Sequence, residues 1–176
     1  SSDVCSSDLM GLEHTCVIAS DDKAYCWGWA GGGALGNSTT IVSKVPIEVT
    51  DTYGSSVSQI AAGYRHTCLL NSLGNLYCWG EGSTGELGDG QGKSSRTPVG
   101  VKMESFEGES VKQVAGGNQF TCAVTVQGSV FCWGNNSSGE TGVGTASGES
   151  KYPTRVKGLT GRSEERRVGK ECLRLC

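Results

Sequence analysis

Apolar and polar residues alternate along this chain in short runs, and the runs come in groups. In the middle of the sequence, Val57-Ser-Gln-Ile-Ala-Ala62, His66-Thr-Cys-Leu-Leu-Asn71 and Asn75-Leu-Tyr-Cys-Trp-Gly80 are rich in β-formers and are separated by Gly, Ser and Asn. The second and third runs flank Ser72-Leu73-Gly74, which predicts a hairpin with a Gly-bearing loop. Pro98-Val-Gly-Val-Lys102 predicts a fourth strand with proline at its start, where the missing N–H does least harm. Between the third and fourth strands lies the Gly-rich stretch Glu81-Gly-Ser-Thr-Gly-Glu-Leu-Gly-Asp-Gly90. No segment carries apolar residues at i, i+3, i+4 and i+7 over three turns, so a helical repeat is excluded.

The group of four recurs. Cys26-Trp27-Gly28, Cys78-Trp79-Gly80 and Cys132-Trp133-Gly134 are spaced 52 and 54 residues apart. Ten residues before each triplet stands another cysteine, Cys16, Cys68 or Cys122, and five before that a glycine, Gly11, Gly63 or Gly117. Eight residues after the triplet comes Gly36, Gly88 or Gly142, and Pro46, Pro98 and Pro153 close each unit. Four short strands per unit of about 50 residues is the arithmetic of a β-propeller blade.

The order Ile60-Ala-Ala-Gly-Tyr-Arg-His-Thr-Cys68, Gly74-Asn-Leu-Tyr-Cys-Trp-Gly80, Gly85-Glu-Leu-Gly-Asp-Gly90, Pro98 resembles the repeat of the regulator of chromosome condensation family. The resemblance covers residues 11–156 in three units. That family builds seven-bladed propellers, so it implies an all-β fold: a partial β-propeller of three four-stranded blades of 52–54 residues, an open arc of the seven-bladed ring. The expected division is blade 1 over 11–56, blade 2 over 57–110 and blade 3 over 111–161. The two cysteines per unit depart from the general pattern and look like the extracellular branch of such repeats.

If residues 66–71 and 75–80 pair symmetrically about residue 73, Leu70 faces Leu76 and Cys68 faces Cys78. The other units give the same register, so three intra-blade disulfides are expected: Cys16 with Cys26, Cys68 with Cys78 and Cys122 with Cys132. Free buried thiols are the competing reading. Zinc is disfavoured, because each blade offers two thiolates and no further ligand to complete a site. Disulfides imply an oxidising, extracytoplasmic setting: secreted, periplasmic or at the cell surface.

Composition narrows the function. The 28 glycines are the periodic turn chemistry of the blades, and no run of apolar residues is long enough for a membrane span. The net charge of −3 disfavours nucleic acid as a partner. Trp27, Trp79 and Trp133 occupy one repeat position and are expected to pack between blades. Trp29 follows the triplet where the other units have Glu81 and Asn135, and is the aromatic expected to touch a partner. His14 and His66 share a position with Phe120, which suits packing with one hydrogen bond rather than catalysis. There is no nucleophile motif for a catalytic triad, the Gly-rich loops do not lead from strand to helix as a phosphate cradle would, and Glu86, Asp89 and Glu140 lack calcium-loop spacing. No catalytic, metal or cofactor site is expected.

The ends do not fit the repeat. Residues 1–10 are polar with an internal duplication, residues 162–176 are charged and net basic, and Cys5, Cys172 and Cys176 lie in these ends. Both segments are expected to be foreign to the repeat, resembling translated linker. Three blades leave an apolar face at each end of the arc, to be covered by missing blades or by self-association. The expected function is non-catalytic: a fragment of a secreted or surface propeller binding a protein or glycan through its inter-strand loops. The alternative carries over the family's namesake activity, guanine-nucleotide exchange on a small GTPase with chromatin association.

Overall fold

The structure is a computed structural model, and it describes residues 9–11, 13–50, 54–146 and 148–159. Three four-stranded antiparallel sheets follow one another along the chain. Blade 1 holds β1 (Leu9–Met10), β2 (His14–Ile18), β3 (Ala24–Gly28) and β4 (Ser43–Glu48). Blade 2 holds β5 (Val57–Ala62), β6 (His66–Asn71), β7 (Leu76–Gly80) and β8 (Ser95–Gly100). Blade 3 holds β9 (Val111–Gly116), β10 (Phe120–Thr125), β11 (Val130–Asn135) and β12 (Glu149–Arg155). Within each sheet the strands lie in chain order, the blades are arranged openly, and β5 lies against both β2 and β9.

Three details differ from the sequence reading. The first sheet begins at Leu9, two residues before the expected blade boundary. Pro98 lies inside β8, not at its start, because the strand begins at Ser95. It falls in the stretch where the β7–β8 register shifts, on an outer edge strand, both of which accommodate a residue without an N–H. The link from blade 2 to blade 3 forms a short 3-10 turn, Met103–Phe106, that inserts the fully buried Phe106 against Phe131 and Trp133, with ring centroids 5.0 and 6.1 Å apart. The proposed foreign ends lie outside the described residues, apart from Leu9 and Met10.

The Cys-Trp-Gly triplet builds the joints between blades. Neighbouring residues of a strand point to opposite faces. Cys26 and Cys78 therefore face the following blade, and Trp79 and Trp133 the preceding one. The joint between blades 1 and 2 packs Cys16, Cys26, Leu35 and Val49 against Ile60, Leu69 and Trp79. The next joint packs Cys68, Cys78, Leu70 and Leu87 against Val114, Phe131 and Trp133. Blade 2 is covered on both faces, so every residue of β6 is buried, whereas β2 and β10 keep the alternation of a half-covered strand.

One hydrogen-bond relay closes both joints. Trp79 Nε1 and Thr67 Oγ1 donate to the carbonyl of Ala34 at 2.9 and 3.1 Å. Trp133 Nε1 and Thr121 Oγ1 donate likewise to the carbonyl of Glu86 at 2.8 and 2.9 Å. The acceptors sit in loops whose next glycines, Gly36 and Gly88, have φ of 67° and 66°. A Cβ there would stand 2.7 and 2.8 Å from the indole nitrogens, so only glycine admits the ring. Replacing Trp79 with Ala empties a fully buried site and leaves the Ala34 carbonyl one donor short. A loss of about 3–5 kcal/mol is expected, read as a lowered midpoint in urea unfolding.

Candidate functional site

The β2–β3, β6–β7 and β10–β11 registers place Cys16 opposite Cys26, Cys68 opposite Cys78 and Cys122 opposite Cys132. Their Cα atoms are 4.1, 4.0 and 4.1 Å apart, and each pair of sulfurs is at disulfide distance. Among the described residues no group of three or more His, Cys, Asp or Glu is gathered around a common point as a metal site requires.

At one end of the blades, each sheet repeats a backbone clamp. The residue after the triplet donates its N–H to the loop between the blade's first two strands: Trp29 to Glu13, Glu81 to Arg65 and Asn135 to Gln119. This clamp brings six side chains to one rim. Arg65 crosses from blade 2 toward blade 1, its guanidinium carbon 4.8 Å from the Trp29 ring centroid and 4.9 Å from that of Tyr64. Its Nε lies 3.8 Å from a Glu13 carboxylate oxygen and its Nη1 3.8 Å from one of Glu81. Those ion pairs are long and about a third or more exposed, so they orient the arginine without contributing much stability. Trp29, the aromatic expected to touch a partner, is half-buried beneath that guanidinium.

Beside it a cleft of about 50 Å³ runs between blades 2 and 3, lined by Tyr64, Arg65, His66, Glu81, Glu86, Asn118 and Gln119. Ligand pockets for small molecules span several hundred Å³. This cleft is too small to enclose such a molecule. Glu86, one of the acids that lack calcium-loop spacing, is buried, and its carboxylate accepts the Thr84 backbone N–H at 2.9 Å. Sequence reasoning missed Tyr64 and Arg65 as site residues. The signal was present in Gly63-Tyr-Arg-His-Thr67, but the arginine's aromatic partner comes from another blade.

His14 and His66 lie under this rim as packing residues. Each ring sits 2.8 Å by its Nε2 from the hydroxyl of the next blade's threonine, Thr67 or Thr121. That hydroxyl already donates to a carbonyl, so the imidazole Nε2–H is the donor. Burial pushes both imidazoles down to about 4, with the charge of His14 adding to the effect at His66.

The chain matches the Regulator of chromosome condensation (RCC1) repeat over residues 21–70, 74–124 and 127–169. It belongs to the RCC1 repeat family. Each RCC1 match begins near the third strand of one blade, and the first two run through the second strand of the next, so the sequence unit straddles a joint. The ultraviolet-B receptor UVR8 of Arabidopsis thaliana is 37% identical over 134 residues, covering 76% of this chain and 30% of the receptor. The human E3 ubiquitin-protein ligase HERC2 is 31% identical over 153 residues, covering 86% of this chain and 3% of the ligase. The chain thus spans less than a third of either relative. The crystal structure of Prp20p from Saccharomyces cerevisiae superposes with a TM-score of 0.78 at 22% identity, over 90% of this chain and 39% of that one, and shows the shared propeller fold.

Proposed function

We propose that this chain is a non-catalytic binding module: part of an extracytoplasmic RCC1 propeller that engages a protein or glycan through the loops at one rim of its blades. The observation that carries the reading is the Arg65 guanidinium set over Trp29 and Tyr64 and flanked by Glu13 and Glu81. Arginine and large aromatics are the residues that anchor recognition surfaces, and this set spans two blades on a rigid scaffold. The paired cysteines support an oxidising compartment, since such crosslinks are rare where glutathione keeps thiols reduced. No helix among the described residues is long and apolar enough to cross a membrane.

The second reading, nucleotide exchange on a small GTPase with chromatin association, draws support from the solved relative Prp20p, which is described as binding Gsp1p and histones. The net charge of −3 weighs against a chromatin-facing surface here. Two assays separate the readings. The immobilised chain is probed with a glycan array and with a secreted-protein fraction, alongside Trp29→Ala and Arg65→Ala variants. Retention that weakens about thirtyfold in the variants is expected, as for anchors worth about 2 kcal/mol each. Faster nucleotide release from a small GTPase, unaffected by either variant, overturns the proposal.

A further inference from the structure

Three Asn-X-Ser/Thr sequences stand in the chain: Asn37-Ser-Thr39, Asn135-Asn-Ser137 and Asn136-Ser-Ser138. Such a sequence accepts an N-linked glycan when it lies in a surface loop of a secreted protein. The fold treats the three differently. Asn136 is buried, its Nδ2 donating to the Thr145 carbonyl at 2.8 Å while its Oδ1 accepts the Thr141 N–H at 3.2 Å. Asn135 donates from Nδ2 to Gln119 and to Glu140, each at 3.4 Å. Asn37 is partly exposed in the loop between β3 and β4, and no described residue takes up its Nδ2. Its Oδ1 accepts the Thr39 N–H at 3.4 Å and the Thr39 hydroxyl at 3.1 Å, so the two ends of the acceptor sequence meet in one turn. Ser38 and Thr40 are exposed, and the Ser38 N–H donates to the Arg96 carbonyl of blade 2 at 3.0 Å, which holds the turn at the first joint.

Beyond this turn Ile41 and Val42 are 73% and 58% exposed. Their exposure belongs to the loop and not to an end of the arc. In blade 2, which is flanked on both sides, Gln91, Lys93 and Ser94 occupy the repeat positions of Thr39, Ile41 and Val42 and are exposed as well. Adjacent large apolar side chains at such a place mark a surface that something covers. The Ile41 N–H donates to the Thr39 hydroxyl at 3.4 Å, which draws these side chains toward Asn37.

We propose that Asn37 carries an N-linked glycan, and that its first sugars cover Ile41 and Val42. This rests on the extracytoplasmic reading above, because the sugar donor and its transferase act on chains that leave the cytoplasm. The donor is an oligosaccharide on a polyprenyl diphosphate. Asn37 Nδ2 attacks the anomeric carbon, the carbon–oxygen bond to the diphosphate breaks with its electron pair, and one Nδ2 proton passes to a base of the transferase. Asn136 is not a site, since a sugar on its Nδ2 would break the bond to Thr145 and displace a buried side chain.

Secretion of the 176-residue chain from eukaryotic cells tests this. The expected product migrates more slowly than the unmodified chain, and peptide-N-glycosidase collapses the shift. Peptide masses should then show aspartate at position 37 and asparagine at 135 and 136. Asn37→Gln and Thr39→Ala should lose the shift, while Thr39→Ser and Asn136→Gln keep it. Removing the glycan should raise the binding of a hydrophobic dye, and Ile41→Ser with Val42→Ser should cancel the rise. No rise overturns the shielding. Thiol mapping of the same secreted protein separates the two readings. Linked cysteine peptides beside an unmodified Asn37 overturn the glycan and leave the compartment standing. Free repeat cysteines overturn the compartment reading, and with it the use of this site. A shift that survives Asn37→Gln, or a glycan found on Asn136, also overturns the proposal.

Discussion

Reduction of the three hairpin cystines is expected to remove about 8 kcal/mol of stability, close to the whole margin of a small domain. Each closes a loop of sequence separation 10, worth roughly 2.5–3 kcal/mol by the loss of chain entropy in the unfolded state. The crosslinks also form part of the packing. Cys16–Cys26 and Cys68–Cys78 lie inside the joints against the next blade's core, so their removal loosens two blades at once. The measurement is urea unfolding followed by circular dichroism, with and without reductant, and with paired Cys→Ala variants of each blade. The Cys68/Cys78 pair should cost more than Cys122/Cys132, whose outer face has no following blade among the described residues. An unchanged midpoint in reductant would contradict the account.

Acid should open the blades. His14 and His66 are held neutral at about 4 in the folded chain against an ordinary value of 6.5, so the unfolded chain binds more protons between those two pH values. Their contribution is therefore fully present above about pH 6.5 and is lost as the pH falls toward 4. The loss is about 3 kcal/mol for each histidine. A charged His14 would also carry a proton on Nδ1, which has no hydrogen-bond partner in the fold. Arg65, Glu81 and Glu86 line the same cleft as His66. Urea midpoints measured from pH 7 to pH 4 should fall steeply through this window. A chain carrying both His14→Phe and His66→Phe, the residue already present at the third repeat position as Phe120, should show a shallower fall. Equal slopes would assign the acid response to other groups.

Much of this architecture was legible in the sequence because the constraints are local or periodic. A hairpin symmetric about residue 73 sets the Cys68–Cys78 register, and strand pairing follows from it. The repeated spacing of triplet, glycine and proline marked three units, and three four-stranded sheets follow one another among the described residues. What the sequence hid depends on neighbours. Trp27, Trp79 and Trp133 look alike, yet one is half-exposed and two are buried, because burial is conferred by the preceding blade. Phe106 fills a core from a linker whose sequence, Met-Glu-Ser-Phe, carries no strand period. The candidate rim was only half visible: Trp29 stood out by breaking the repeat. Arg65 gains meaning only where blade 2 meets blade 1. The Pro98 bulge was missed because register shifts arise from pairing with β7, not from the proline itself.

The central claim is that six repeat cysteines lock three hairpins as disulfides, and thiol mapping tests it most directly. The protein is alkylated under denaturing conditions without prior reduction, then digested and its peptides weighed. The account predicts that Cys16, Cys26, Cys68, Cys78, Cys122 and Cys132 escape alkylation and appear as three linked peptides, each joining cysteines ten residues apart. Alkylation of all six before reduction would contradict it.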